Sequence, residues 1–166
     1  MARRNNMRLF IKQQVFSLND KFSVKDENEA DRFYVEGQFM ALGKKLRVYT
    51  PDHQEVMYIE QQLWKLLPEY DLYSGEDKVA TIKKEFAFFK NNYTIHGPDW
   101  NIEGSITAHD YVIKSQGKII ADINKKFLSW GDTYEIIIHD ESQLHLLLGI
   151  VIVIDCVISA SRTSNN

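Results

Sequence analysis

The sequence predicts a mainly β protein: a closed antiparallel barrel of about twelve strands, in two six-stranded repeats, enclosing a single hydrophobic C-terminal α-helix. Three observations predict it. One hairpin spacing occurs in four copies, a matched pair of strand segments lies between those copies, and an apolar run without a polar face sits near the C-terminus.

The hairpin spacing marks five apolar positions per copy. The first copy is Ile11, Val15, Leu18, Phe22 and Val24; the second is Ile59, Leu63, Leu66, Tyr70 and Leu72. The third is Ile82, Phe86, Phe89, Tyr93 and Ile95, and the fourth is Ile123, Phe127, Trp130, Tyr134 and Ile136. Turn formers stand between the third and fourth marks: Asn19-Asp20-Lys21, Leu67-Pro68-Glu69, Lys90-Asn91-Asn92 and Gly131-Asp132-Thr133. Asn, Asp, Pro and Gly enter turns for definite backbone reasons, so each copy reads as a β-hairpin. The even offset between the last two marks puts both side chains on one face of the second strand.

Between the hairpins, Phe33-Tyr34-Val35-Glu36-Gly37 matches Trp100-Asn101-Ile102-Glu103-Gly104. Each is followed by a further strand-like stretch, Leu46–Thr50 and Tyr111–Ser115, after turns at Gly43-Lys44-Lys45 and His109-Asp110. The order is hairpin, two strands, hairpin, and then the same again. The expected organisation is one domain over 1–166, with repeat halves at about 8–73 and 79–138 joined by the polar segment Ser74–Lys78 and a central helix at about 141–161.

The helix is announced by Asp140-Glu141-Ser142-Gln143, where Asp140 and Gln143 have capping-box spacing and Glu141 suits the positive end of a helix dipole. Leu144 to Ile154 is apolar on every face except at His145, so the helix is central to a core or inside a membrane. Leu144–Ala160 spans about 25 Å as a helix, short of a hydrocarbon core of roughly 30 Å. Asp155, Ser159 and Arg162 recur at helical spacing as one polar stripe, and an aspartate is expensive in a bilayer. A helix inside the barrel is therefore favoured over a tail anchor at 144–160; a buried central strand at Gly149–Ile154 is the third option.

Composition narrows the function classes. An apolar fraction of 44% with 26% charged residues suits a packed globular chain rather than a disordered one. A net charge of −3 and aromatics spread at core spacing argue against a nucleic-acid binder. The single cysteine, Cys156, lies in the apolar run and reads as a small buried hydrophobe in a reducing, cytoplasmic compartment. Arg3 and Arg4 are followed by no apolar stretch of the kind a signal peptide has.

Candidate sites are few. Lysine pairs recur at corresponding places in two hairpins, Lys83-Lys84 and Lys125-Lys126, while Lys114 and Lys118 flank one turn. Together they are the candidate ligand-binding residues, a basic face for lipid phosphate or another anion, against the plainer reading of lysines on a solvated barrel wall. His53, His96, His109, His139 and His145 lack zinc-site spacing and read as surface or cap residues. A buried Asp155 requires a partner, and Arg162 two turns on is the one the spacing offers. No catalytic triad order, Walker loop, dinucleotide fingerprint or HExxH helix occurs, so no catalytic residue, metal or cofactor is expected.

The hairpin copies, the paired Val35-Glu36-Gly37 and Ile102-Glu103-Gly104, and the closing run Leu144–Ala160 resemble the LURP-one-related proteins, of the tubby C-terminal-like superfamily that also includes the phospholipid scramblases. The resemblance runs from Met7 to Ala160 and implies a twelve-stranded barrel threaded by a hydrophobic helix. LURP-one-related proteins are largely uncharacterised, with plant members linked to defence, and tubby proteins bind phosphoinositide headgroups through basic residues. No tubby lipid-binding motif maps onto this sequence, and the calcium-binding and palmitoylated cysteine segments of scramblases are missing. The expected function is a non-enzymatic binding or scaffold module, cytoplasmic or peripheral at a membrane, whose partner is an anionic phospholipid or a protein. A tail-anchored membrane protein and an enzyme with a site at a barrel mouth are the alternatives.

Overall fold

The computed structural model describes residues 6–12, 21–40, 43–85, 92–128 and 131–163. Among them, twelve strands follow one another along the chain. The first six are β1 (Met7–Lys12), β2 (Lys21–Lys25), β3 (Asp31–Met40), β4 (Gly43–Tyr49), β5 (Glu55–Gln61) and β6 (Glu69–Ser74). The second six are β7 (Asp77–Glu85), β8 (Asn92–His96), β9 (Trp100–Ser105), β10 (Asp110–Ser115), β11 (Lys118–Leu128) and β12 (Gly131–Ile138), followed by α1 (Leu144–Thr163).

Every strand pairs antiparallel with its chain neighbours, except at one seam. The ring is joined where β1 meets β12, from Met7↔Ile138 to Lys12↔Thr133. The seam lies between β8 and β9, which are adjacent but share no ladder among the described residues. The sheet is thus a nearly closed barrel. Twelve strands at about 4.8 Å spacing and a tilt near 40° give a barrel radius of about 12 Å. A helix with its side chains takes up about 5–6 Å of that radius. The remainder matches one layer of inward side chains, so a barrel of this size is filled by a helix rather than left as a channel.

The inward layer follows the predicted alternation. Ile11, Phe22, Val24, Ile59, Tyr70, Leu72, Ile82, Tyr93, Ile95, Ile123, Tyr134 and Ile136 are all buried. Matching sequence positions in the two halves are buried alike: Phe33 and Trp100, Leu46 and Tyr111, Val48 and Ile113, Tyr70 and Tyr134. Gly104, the counterpart of Gly37, has φ 120°, and a Cβ there would stand 2.6 Å from the carbonyl oxygen of Asp110, so glycine alone fits.

Some turns fall elsewhere than predicted. Gly43-Lys44-Lys45 is the start of β4, with Gly43 paired to Met40 and Lys45 to Gln38, and Gly43 has a left-handed φ of 96°. Gly131-Asp132-Thr133 already belongs to β12, with Gly131 opposite Leu128. Ser74–Lys78 shrinks to the turn Gly75-Glu76, with Ser74 and Asp77 paired across it. Leu66, marked as a hairpin core position, is 87% exposed, because residues 62–68 form a longer loop whose tip leaves the barrel. Val15, Leu18, Asn19, Asp20, Phe86, Phe89, Lys90, Asn91 and Trp130 lie outside the described residues.

A short 3-10 turn, Glu141–Gln143, leads into α1. The Asp140 carboxylate caps it, accepting from the Ser142 backbone N–H at 3.1 Å and from its hydroxyl at 2.6 Å. The run Gly149–Ile154 is helical, not a strand: enclosed by the barrel wall, it satisfies its backbone within itself as a helix. All residues from Leu147 to Ser159 are buried. Gly149 lets the helix come close to the wall, where a Cβ would meet Leu72 Cδ2 at 3.0 Å and Met57 Cγ at 3.2 Å.

Candidate functional site

Because the strands alternate in direction, the barrel has two distinct ends. At the entry end lie the turn before α1 and the β4–β5, β6–β7 and β10–β11 connections. At the exit end, where α1 finishes, lie the β5–β6 loop, the start of β4, the ends of β7 and β11, and the 3-10 turn Ile106–Ala108 before β10.

Inside the exit end sits the most buried polar cluster. His109 closes the 3-10 turn with a left-handed backbone (φ 51°, ψ 46°), which swings its ring inward rather than to the surface. Its Nε2 lies 3.0 Å from Oδ1 of Asp155, and both side chains are 3% exposed. His109 stacks on Tyr134 with ring centroids 4.6 Å apart. The Asp155 carboxylate lies near enough to the Tyr134 hydroxyl for its charge to act on it. The Tyr111 hydroxyl is buried with no hydrogen-bond partner among the described residues. Burial first, and the Asp155 charge second, push the Tyr111 and Tyr134 hydroxyls well above the ordinary phenol value, so both stay protonated. Burial raises the Cys156 thiol in the same way, which removes it as a nucleophile.

His109 is a cap, as expected, but a buried one, and among the described residues it is the partner of Asp155. The side chain of Arg162 lies outside the described residues, while Ser159, the third member of the helix stripe, is buried. The signal available in the sequence was phase: His109 stands two residues before Tyr111, on the inward face, at the level of the only acid in the apolar helix.

At the exit rim the structure gathers a different set. β6 and β7 pair with Glu69 opposite Lys83, and the Lys84 backbone N–H donates to the Pro68 carbonyl at 3.0 Å. These bonds fold the β5–β6 loop against the end of β7. Lys65, Lys83 and Lys84 border a cavity of about 190 Å³ with Glu69 and Glu85. Glu69 is shared, 3.7 Å from Lys65 and 3.5 Å from Lys83, while no ion pair holds Lys84 among the described residues. Three lysines and two carboxylates thus border one open depression. Beside it Trp64 is fully exposed and Leu66 nearly so.

The six predicted lysines are not one patch. Lys83 and Lys84 share the exit-rim cavity. Lys125 and Lys126 are at the same end but on β11, four strands away round the ring. Lys126 is committed to Glu135, 3.1 Å from it, a buried carboxylate on the outer wall that Arg8 also holds at 2.9 Å. Lys114 and Lys118 stand at the entry end. Lys114 pairs with Glu103 at 2.5 Å, and Lys118 borders a second cavity of about 220 Å³ with Trp100, Gln116, Asp140 and Gln143. Among the described residues no three His, Cys, Asp or Glu side chains come together as a metal site.

With the barrel and both ends described, comparison with known proteins decides the family. The family model of the LURP-one-related proteins matches residues 7–155, nearly the whole barrel and the helix as far as Asp155. The chain belongs to the LURP-one-related family. It is 34% identical over 150 residues to the uncharacterised protein YxjI of Bacillus subtilis strain 168, covering 90% of this chain and 93% of that one. An Arabidopsis thaliana protein of known X-ray structure has the same fold, with a TM-score of 0.61 at 14% identity over 88% of this chain and 89% of that one.

Proposed function

We propose that this LURP-one-related chain is a non-enzymatic binding module that meets an anionic phosphate headgroup through its exit rim, from a cytoplasmic, membrane-peripheral location. The observation that carries the reading is the cavity bordered by Lys65, Lys83 and Lys84 beside the exposed β5–β6 loop. Lysine is a point-charge phosphate ligand, and near an anionic surface each one contributes about 1 kcal/mol. The interior favours a module without chemistry. Its titratable cluster is sealed by the wall and by α1, and its hydroxyls and thiol are held in their neutral forms.

The helix itself is long and apolar enough to cross a membrane, over Glu141–Ser159. Withdrawing it would expose the inward layer of twelve strands to water and leave His109 without Asp155, so the reading keeps it in the barrel. Co-sedimentation with neutral and with anionic vesicles, at low and moderate salt, tests the function. Binding is expected to anionic vesicles only and to weaken with salt. Lys83→Gln with Lys84→Gln removes about 2 kcal/mol, a loss near thirtyfold. Full binding by that variant would refute the headgroup site, and no binding by the intact chain would turn the search to protein partners.

A further inference from the structure

We propose that the β5–β6 loop, residues 62–68, is an insertion wedge that seats Trp64 and Leu66 in the interfacial layer of a phospholipid bilayer. Three large apolar side chains are exposed among the described residues, and two of them, Trp64 and Leu66, stand two positions apart at this one tip, at 100% and 87% exposure. The third, Ile119, is at the opposite end of the barrel.

The local backbone explains the arrangement. Leu63 turns inward, close enough to Gly43 that a Cβ there would meet its Cδ2 at 3.0 Å. Trp64 then takes a left-handed φ of 64°, uncommon for a bulky residue, and the chain turns its indole to solvent. Leu67 and Pro68 return to the wall, with Pro68 anchored by the Lys84 N–H. The tip is thus a rigid turn holding an indole, a lysine and a leucine outward.

The occupant that fits is a bilayer interface. Two side chains offer far less than the roughly 800 Å² that each partner contributes to a stable protein interface. A bilayer requires no such area: single tryptophans sit at headgroup depth with the ring in the acyl boundary and the N–H toward water. Lys65, between the two apolar residues, has the length to keep its ammonium among the headgroups, and Lys83 and Lys84 lie on the same rim. The inference deepens the headgroup reading by naming its source as a membrane lipid rather than a free anion, and it rests on that reading for the choice of anionic vesicles.

The experiment uses the full chain with phosphatidylcholine vesicles, with and without phosphatidylserine, and with the same vesicles carrying bromine-labelled acyl chains. Trp64→Ser with Leu66→Ser is expected to keep the far-UV spectrum and lose at least about tenfold in vesicle affinity at both salt levels, as the loss of two buried apolar groups requires. Bromolipid is expected to quench the emission that disappears in Trp64→Phe, which isolates Trp64 from Trp100 and Trp130. Unchanged affinity of the folded double variant, or no quenching of Trp64, overturns the wedge, and so does failure of the intact chain to bind either vesicle. If Lys83→Gln with Lys84→Gln alone weakens binding, the headgroup site stands without the wedge. If quenching persists while that lysine variant binds normally, the wedge stands without the headgroup site.

Discussion

His109 and Asp155 form a buried pair whose energetics follow from its geometry. Each side chain is 3% exposed, and Nε2 and Oδ1 are 3.0 Å apart. Replacing His109 by leucine leaves the Asp155 carboxylate in the interior without its hydrogen-bonded partner. Breaking one side of a buried pair costs about 3–5 kcal/mol, and losing the stack on Tyr134 adds about 1 kcal/mol. Asp155→Leu is costly from the other side, because it leaves the buried His109 ring without its partner, about 1–3 kcal/mol. The double variant removes both halves. What remains is the lost stack on Tyr134, so about 1 kcal/mol is expected rather than the sum of the singles. Urea unfolding followed by circular dichroism measures all four proteins. A single-variant loss near 4 kcal/mol corresponds to a fall in Tm of about 10 °C for a chain of this size. Costs that add in the double variant, or singles below about 1 kcal/mol, would refute the coupling.

Two other outcomes are expected. Ile152→Asp places an unpaired charge at a fully buried helix position and is expected to abolish cooperative unfolding, whereas Lys118→Asp at the entry end shifts the urea midpoint negligibly; equal stabilities would sink the enclosed-helix packing. Tyrosine ionisation gives a pH test: burial holds Tyr93 up to about 12 and raises Tyr70, Tyr111 and Tyr134 well above the ordinary phenol value. The unfolded chain releases these protons near 10 and the folded chain does not, so this stability is complete below about pH 10 and falls as pH rises beyond it. Absorbance at alkaline pH is expected to show these hydroxyls ionising only together with unfolding; early ionisation of all eight tyrosines would contradict their burial.

The barrel was legible because a β-strand writes its buried face at every second residue. Pairs such as Tyr70/Leu72 and Tyr134/Ile136 repeat that phase in both halves, and the run at 144–160 lacks such alternation and a polar face. Turn positions were less legible at Gly43 and Gly131, where residues common in turns stand just inside a strand. The interior cluster was hidden because His109-Asp110 reads as a turn, and it is the left-handed backbone at His109 that directs the ring inward. The rim was half visible. Lys83-Lys84 stood out as a pair, but their companionship with Lys65 depends on how the β5–β6 loop folds back through Pro68 and Lys84. Trp64 was masked by its neighbours Leu63 and Leu66, since an apolar cluster in a hairpin repeat reads as core until the loop length is known. Lys126 shows the converse, a lysine that looked available and is spent on Glu135.

Hydrogen exchange of the full chain, with and without anionic vesicles, distinguishes a helix kept in the barrel from one that leaves it. The α1 amides from Leu147 to Ser159 are expected to be protected in solution without lipid, with vesicles adding protection only around residues 62–69 and 83–85. Rapid exchange of α1 in solution, with protection gained there only when vesicles are added, would show a helix that leaves the barrel for the membrane and would overturn the enclosed-helix barrel.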